Sequence, residues 1–285
     1  KFAGMSGGCG SVIIFTETVE ARVDAEVESL AIIEFTRGDQ LNSFVSKQYG
    51  DLAKVLKSLN ANENVSCAVL TGRGRFYSSG HDLREQLASQ NQSDGGDQRE
   101  FLRKMIAQNA GQLIDTMICF EKPLIAAVNG PAVGVACTTL QLCDIIYCSD
   151  SATFHVPFMQ LGFCAEGCSS LLFPMVMGLS KANEMLLMGK KLTSEEAKQC
   201  NFVSDVFPQA QFMGEVLTRA RKMASFPPNA LRQTKGLTRD AMKQTLLDTS
   251  NRELTLLLDR FLSDECVNAV MKFIMEQQAK KKAKH

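Results

Sequence analysis

Pro123-Leu124-Ile125-Ala126-Ala127-Val128-Asn129-Gly130-Pro131-Ala132-Val133-Gly134-Val135 is the stretch whose reading decides the fold. Its first part is apolar without alternation, as a strand buried on both faces requires. Asn129-Gly130-Pro131 is a turn signal. A helix is expected near Ala132 to Leu142, and Asp144-Ile145-Ile146-Tyr147-Cys148 follows as another strand. Strand, helix and strand in succession imply an α/β body with a largely parallel sheet.

Upstream the same alternation holds. Val12-Ile13-Ile14-Phe15 and Leu30-Ala31-Ile32-Ile33-Glu34-Phe35 read as strands, and Cys67-Ala68-Val69-Leu70-Thr71 as a further buried one. Asn42 or Ser43 is placed to cap a helix carrying Tyr49, Leu52, Val55, Leu56 and Leu59 at helical spacing. A long amphipathic helix is expected from about Phe101 to Cys119, after a polar, glycine-bearing insertion from Ala88 to Asp97. The last third is mostly helical, punctuated by Pro174, Pro208, Pro227 and Pro228. A flexible tail is expected at residues 1–10 and a basic one at residues 279–285.

Composition narrows the function. Hydrophobic residues are 45% and charged residues 22% of 285, enough for a large core. Lysine plus arginine equals aspartate plus glutamate at 31 each, so no broad nucleic-acid surface is expected. The longest apolar stretch, Pro123 to Cys148, is interrupted by Gly130, Pro131, Gly134, Gln141 and Asp144, which argues against a membrane span. The ten cysteines sit mostly in apolar runs and none are paired at Cys-x-x-Cys spacing, so they read as free thiols in a reducing compartment. With histidine only at 81, 155 and 285, no metal-ligand constellation is seen.

Three windows could carry chemistry. Ser78-Ser79-Gly80-His81-Asp82 and Asn129 to Val135 each follow a buried strand, where α/β proteins place ligands. Glycine there lets backbone N–H groups approach a ligand, and two that converge on one carbonyl oxygen form an oxyanion hole. Plain tight turns account for the same pattern. Neither is a phosphate loop or a nucleophile elbow. The third window holds Glu166, the one charge between Asp150 and Lys181. Its small and apolar neighbours suit a poorly hydrated carboxyl that carries a proton. A helix-start glutamate favoured by the macrodipole is the alternative.

Taken together, these windows resemble the crotonase (enoyl-CoA hydratase/isomerase) superfamily, from about Val12 to Cys266. Within it they are most similar to the peroxisomal Δ3,Δ2-enoyl-CoA isomerase branch. The matching strings are the Gly72-to-Asp82 loop, Pro123 to Gly130, Cys143-Asp144-Ile145-Ile146-Tyr147, Glu166-Gly167-Cys168-Ser169-Ser170, Gly189 to Ala197 and Leu262-Ser263-Asp264-Glu265-Cys266. The resemblance implies a ClpP/crotonase-like spiral of ββα units over residues 11–207. A C-terminal helical region over residues 208–278 would make trimer contacts, in a homotrimer or a dimer of trimers. It puts the oxyanion-hole N–H groups on His81 and Val135. It puts the acyl-CoA thioester along Ser78, Ser79, Gly80, His81, Asp82, Gly134 and Val135. No metal or redox cofactor is implied, since CoA is part of the substrate.

The departures matter. The positions where hydratases of the family hold two water-binding glutamates fall on Thr138 and Phe158, and Glu166 lies eight residues past Phe158. A single glutamate suits an isomerase that moves one proton from C2 to C4 and adds no water. A hydratase, and a CoA-binding corepressor module without turnover, are the competing readings. Relatives in the branch imply a peroxisome, with the mitochondrion as alternative. Ala283-Lys284-His285 is not a complete targeting tripeptide.

Overall fold

The computed structural model describes residues 12–85 and 98–282. The expected tail at residues 1–10 and the insertion at residues 88–97 lie outside them. Strands β1 (Val12–Phe15), β2 (Val19–Val23) and β3 (Leu30–Phe35) form an antiparallel meander. Helix α1 (Ser46–Ala61) then crosses to β4 (Cys67–Gly72), which runs parallel to β3. Helix α2 (Gln98–Ile106) passes through a π turn (Ala107–Gly111) into α3 (Gln112–Ile118), and β5 (Leu124–Val128) follows. After β6 (Ala132–Val133) and the short α4 (Val135–Thr138) come β7 (Ile145–Ser149) and β8 (Thr153–His155). Next are α5 (Ser169–Met177), α6 (Leu179–Leu186), β9 (Leu192–Thr193), α7 (Ser194–Gln199) and β10 (Asp205–Phe207). Helices α8 (Phe212–Ala224), α9 (Pro228–Phe261) and α10 (Asp264–Lys282) complete the described chain.

The main sheet has the order β1-β2-β3-β4-β5-β7-β10 and is parallel from β3 onward. A smaller sheet has the order β6-β8-β9. The uniformly apolar strands resolve into two faces by their two-residue period. Ala68 and Leu70 of β4, with Leu124, Ala126 and Val128 of β5, join the main core against α1 and α3. Cys67 and Val69, with Ile125 and Ala127, face Phe212, Val216, Ala220 and Ala224 of α8. A third apolar cluster joins Leu102 and Ile106 of α2 to Leu257, Leu258 and Phe261 of α9 and to Cys266 and Val270 of α10.

Three local expectations are corrected. Neither Asn42 nor Ser43 caps α1, which begins after Val45 without a side-chain cap. Instead the Glu85 carboxylate accepts the Ser46 N–H at 2.8 Å, and the Asn42 amide donates to the carbonyls of Arg73, Phe76 and Tyr77. Ala132 to Leu142 is not one helix. Ala132 and Val133 pair with Phe154 and His155, and Gly134 (φ +57°, ψ −129°) breaks the chain so that helical geometry starts only at Val135. Finally, α10 continues to Lys282, so the first part of the expected basic tail is helical.

Candidate active site

Two loops leave the ends of β4 and β5 and are stitched together. Asn129 Oδ1 accepts the Gly72 N–H at 3.2 Å, and its amide donates to Gly74 O at 2.8 Å. A side chain at Gly130 would meet Arg75 O at 2.1 Å, so only glycine permits this approach. Farther along, Ser78 N–H donates to Pro131 O at 3.2 Å and Val133 N–H to Ser78 O at 3.0 Å. That makes Ser78 and Ala132 a parallel bridge. Farther on, a side chain at Gly80 would meet Val133 O at 2.5 Å, so the two loops stay in close contact up to the residues just before His81 and Val135.

Their amides are the ones this pairing leaves over. Phe44 N–H donates to Gly80 O and Asp82 N–H to Phe44 O, which turns the His81 N–H away from that bridge. Val135 is the first residue of α4, so its N–H has no intrahelical acceptor. Both residues line a cavity of about 150 Å³. Of the other residues expected to hold the thioester, Ser79, Gly80 and Gly134 also line it. Ser78 stands behind the wall, fully buried, its hydroxyl donating to Asn42 O and accepting Gly80 N–H. Asp82 pairs with Arg84 at 2.7 Å.

Glu166 is the one carboxyl among the described residues that line this cavity. It is 6% exposed. The Thr138 hydroxyl donates to its Oε1 at 3.1 Å. Burial, reinforced by the negative charge of Glu253, raises its pKa to about 8, although the Thr138 bond acts the other way. Gly167 has φ +70°, and a side chain there would meet Thr138 Oγ1 at 2.4 Å, so the glycine lets the loop press onto α4. Helix α5 starts three residues after Glu166, so the acid sits ahead of the helix rather than in its first turn. Phe158, like Thr138 a position without a carboxylate, is part of the cavity wall.

One residue near the acid was not singled out by sequence reasoning as functional. Tyr49, read there only as one position of a helical stripe, lines the cavity and places its hydroxyl 3.3 Å from His81 Nδ1. Burial, with the charges of Glu166 and Glu85, holds that phenol well above its usual range. Burial also lowers the His81 imidazole below its ordinary value, which favours the neutral ring. The remaining wall is apolar apart from Asn109, with Met105 and Ile106 of α2, Leu257 and Phe261 of α9 and Phe273 of α10.

Among the described residues no group of three or more His, Cys, Asp or Glu side chains could hold a metal ion. Among them, too, no helix is long and apolar enough to cross a membrane. Every described cysteine is free.

A family model described as enoyl-CoA hydratase/isomerase matches residues 25–283. Enoyl-CoA delta isomerase 2 of Rattus norvegicus is 43% identical over 242 residues, covering 85% of this chain and 60% of that protein. The chain therefore spans less than two thirds of that relative. Enoyl-CoA delta isomerase 3, peroxisomal, of Mus musculus is 38% identical over 253 residues, covering 88% of this chain and 77% of that protein. The crystal structure of an enoyl-CoA hydratase/isomerase from Pseudoalteromonas atlantica T6c superposes with a TM-score of 0.80 at 28% identity. It covers 91% of this chain and 98% of that one.

Proposed function

The chain belongs to the enoyl-CoA hydratase/isomerase family and has the crotonase fold, and from that premise we propose that it is a Δ3,Δ2-enoyl-CoA isomerase. One observation carries this reading. A single buried carboxyl shares a cavity with two N–H groups that have no acceptor in the described chain. The 3-enoyl thioester binds with its carbonyl oxygen against the His81 and Val135 amides. Glu166, as carboxylate, removes a proton from C2. The electron pair of that C–H bond forms C1=C2, and negative charge moves onto the thioester oxygen. The two N–H groups stabilise this dienolate, and losing one such donor typically costs on the order of 10²–10³ in rate. The carboxyl then returns the same proton at C4. The charge on oxygen collapses back to the carbonyl, and the double bond ends between C2 and C3. Proton count and charge balance without water or a redox partner. CoA enters as part of the substrate, and the reading needs no separate cofactor.

Thr138 and Phe158 support isomerisation over hydration, because neither can hold and deprotonate a water between two carboxylates. The apolar wall from α2, α9 and α10 suits a fatty acyl chain. Apolar side chains exposed on α5 and α6, namely Met175 and Leu179, support assembly as a homotrimer or a dimer of trimers. The pathway we assign is oxidation of unsaturated fatty acids, in the peroxisome that the mouse relative's name carries.

The test is an assay with 3-hexenoyl-CoA and 3-decenoyl-CoA on the protein and on Glu166→Gln. We expect 2-enoyl-CoA to form, and the variant to lose at least about 10³ in kcat while still binding CoA esters. Turnover unchanged in Glu166→Gln removes the assigned base. Rapid formation of a 3-hydroxyacyl product from 2-enoyl-CoA identifies a hydratase instead.

A further inference from the structure

The chain turns abruptly between Glu166 and α5. Gly167 and the non-glycine Cys168 both have positive φ, at +70° and +61°. Such a turn directs backbone N–H groups into a buried space where they need acceptors. One carboxylate supplies them. Glu253 Oε2 accepts the Cys168 N–H at 2.7 Å and Oε1 accepts the Ser170 N–H at 2.9 Å. Glu253 is 3% exposed and lies in the C-terminal third of α9. Its charge is met by these two amides at the N-terminus of α5, with a weaker contribution from Arg252. The same stretch of α9 makes two sulfur contacts to the loop, from Cys164 to Glu253 O and from Cys168 to Leu246 O.

Given the reading of Glu166 as the base, we propose that Glu253 is its positioning residue: a buried carboxylate on the C-terminal helical region that fixes the turn carrying Glu166 and faces it with a negative charge. A neutral cap would satisfy an orphan N–H equally well. A carboxylate does more, because it opposes a second negative charge nearby and so keeps the base basic enough to take a proton from carbon.

The surroundings leave this role to Glu253. Tyr49 faces Glu166 from α1, Cys137 and Thr138 from α4, and Cys164 and Cys168 from its own loop. Burial pushes Cys164 to about 11 and Cys168 to about 12, and raises Cys137 and Tyr49 as well, so all four are neutral near pH 7. Burial raises the Glu253 carboxyl above the ordinary glutamate value, and the hydrogen bonds from Ser170 and Cys168, with Arg252 on its own helix, act the other way to favour its charged form.

The experiment compares Glu253→Gln and Glu253→Asp with the parent chain. It reads kcat and KM separately, the pH midpoint of kcat/KM, and the titration of the Glu166 carboxyl by ¹³C NMR without substrate. Glutamine removes the charge and one acceptor. At about pH 9 and above, where Glu166 is largely ionised in both chains, the expected result is a kcat lower by about tenfold and a KM nearly unchanged, with a Glu166 midpoint lower by about one pH unit. Aspartate keeps the charge but reaches less far. It is expected to lower kcat while leaving the midpoint in place, and it decides the matter if the glutamine variant does not fold. Full kcat in a folded variant overturns the proposal, and so does a lowered kcat in Glu253→Gln with an unmoved midpoint. A moved midpoint in Glu253→Gln, together with full turnover in Glu166→Gln, would refute the base assignment and leave the coupling standing.

Discussion

Glu166 is a short side chain in an expensive place. Transfer from water disfavours its charged form, and the nearby Glu253 charge adds to the effect. Its pKa of about 8 makes it a stronger base than an exposed glutamate, but one that is deprotonated in only a minority of molecules at neutral pH. Activity of the free enzyme therefore increases as pH rises through about 8, because the carboxylate is the reactive form. The measurement is the acid limb of the pH profile of kcat/KM. Thr138 supplies the opposing influence, a hydroxyl that favours the ionised acid. Thr138→Val is expected to move that limb to higher pH by about one unit and to lower the rate at pH 7. A limb that stays in place would show that the hydrogen bond does not hold the charge.

At the scale of elements, the site is made by two strand-end loops paired in parallel register. The pairing runs through Ser78 and Ala132 and carries the His81 and Val135 amides to the cavity wall. Gly134 tests whether backbone conformation, rather than room, sets this geometry. A methyl group there would meet nothing within 4 Å, yet the φ of +57° with ψ of −129° strains any L side chain. Gly134→Ala is expected to fold and to lose about 10²–10³ in kcat, the cost of one displaced donor. Circular dichroism checks the fold and steady-state kinetics the rate. Full activity in that variant would show that the Val135 amide does not contribute.

For the whole molecule, one cavity is closed by distant parts of the chain, and its acid is linked to global stability. The folded state holds a proton on Glu166 up to about pH 8, whereas the unfolded chain releases it near the ordinary glutamate value. Stability is therefore full below that ordinary value and falls as pH rises towards about 8, by an amount on the order of a few kcal/mol. Glu166→Gln removes this dependence. Its Tm, relative to that of the parent, is expected to rise between pH 5 and pH 9, as read by thermal melts at both pH values. A constant difference would mean that Glu166 titrates alike in both states.

The α/β class, the buried strands β4 and β5, and the identity of Glu166 as a lone acid among apolar neighbours were determined by the sequence itself. They depend on local period, on glycine placement and on the spacing of charges along the chain. The cap of α1, the break at Gly134, the Tyr49 to His81 contact and the grip of Glu253 on the turn after Glu166 were decided only by the tertiary structure. In each of these a polar group finds its partner across the fold rather than along the chain. Glu85 serves Ser46, Asn42 serves the Arg73-to-Tyr77 loop, and Glu253 reaches Cys168 from 85 residues away. Satisfying a buried N–H requires only an acceptor within about 3 Å, and sequence separation places no limit on where that acceptor comes from.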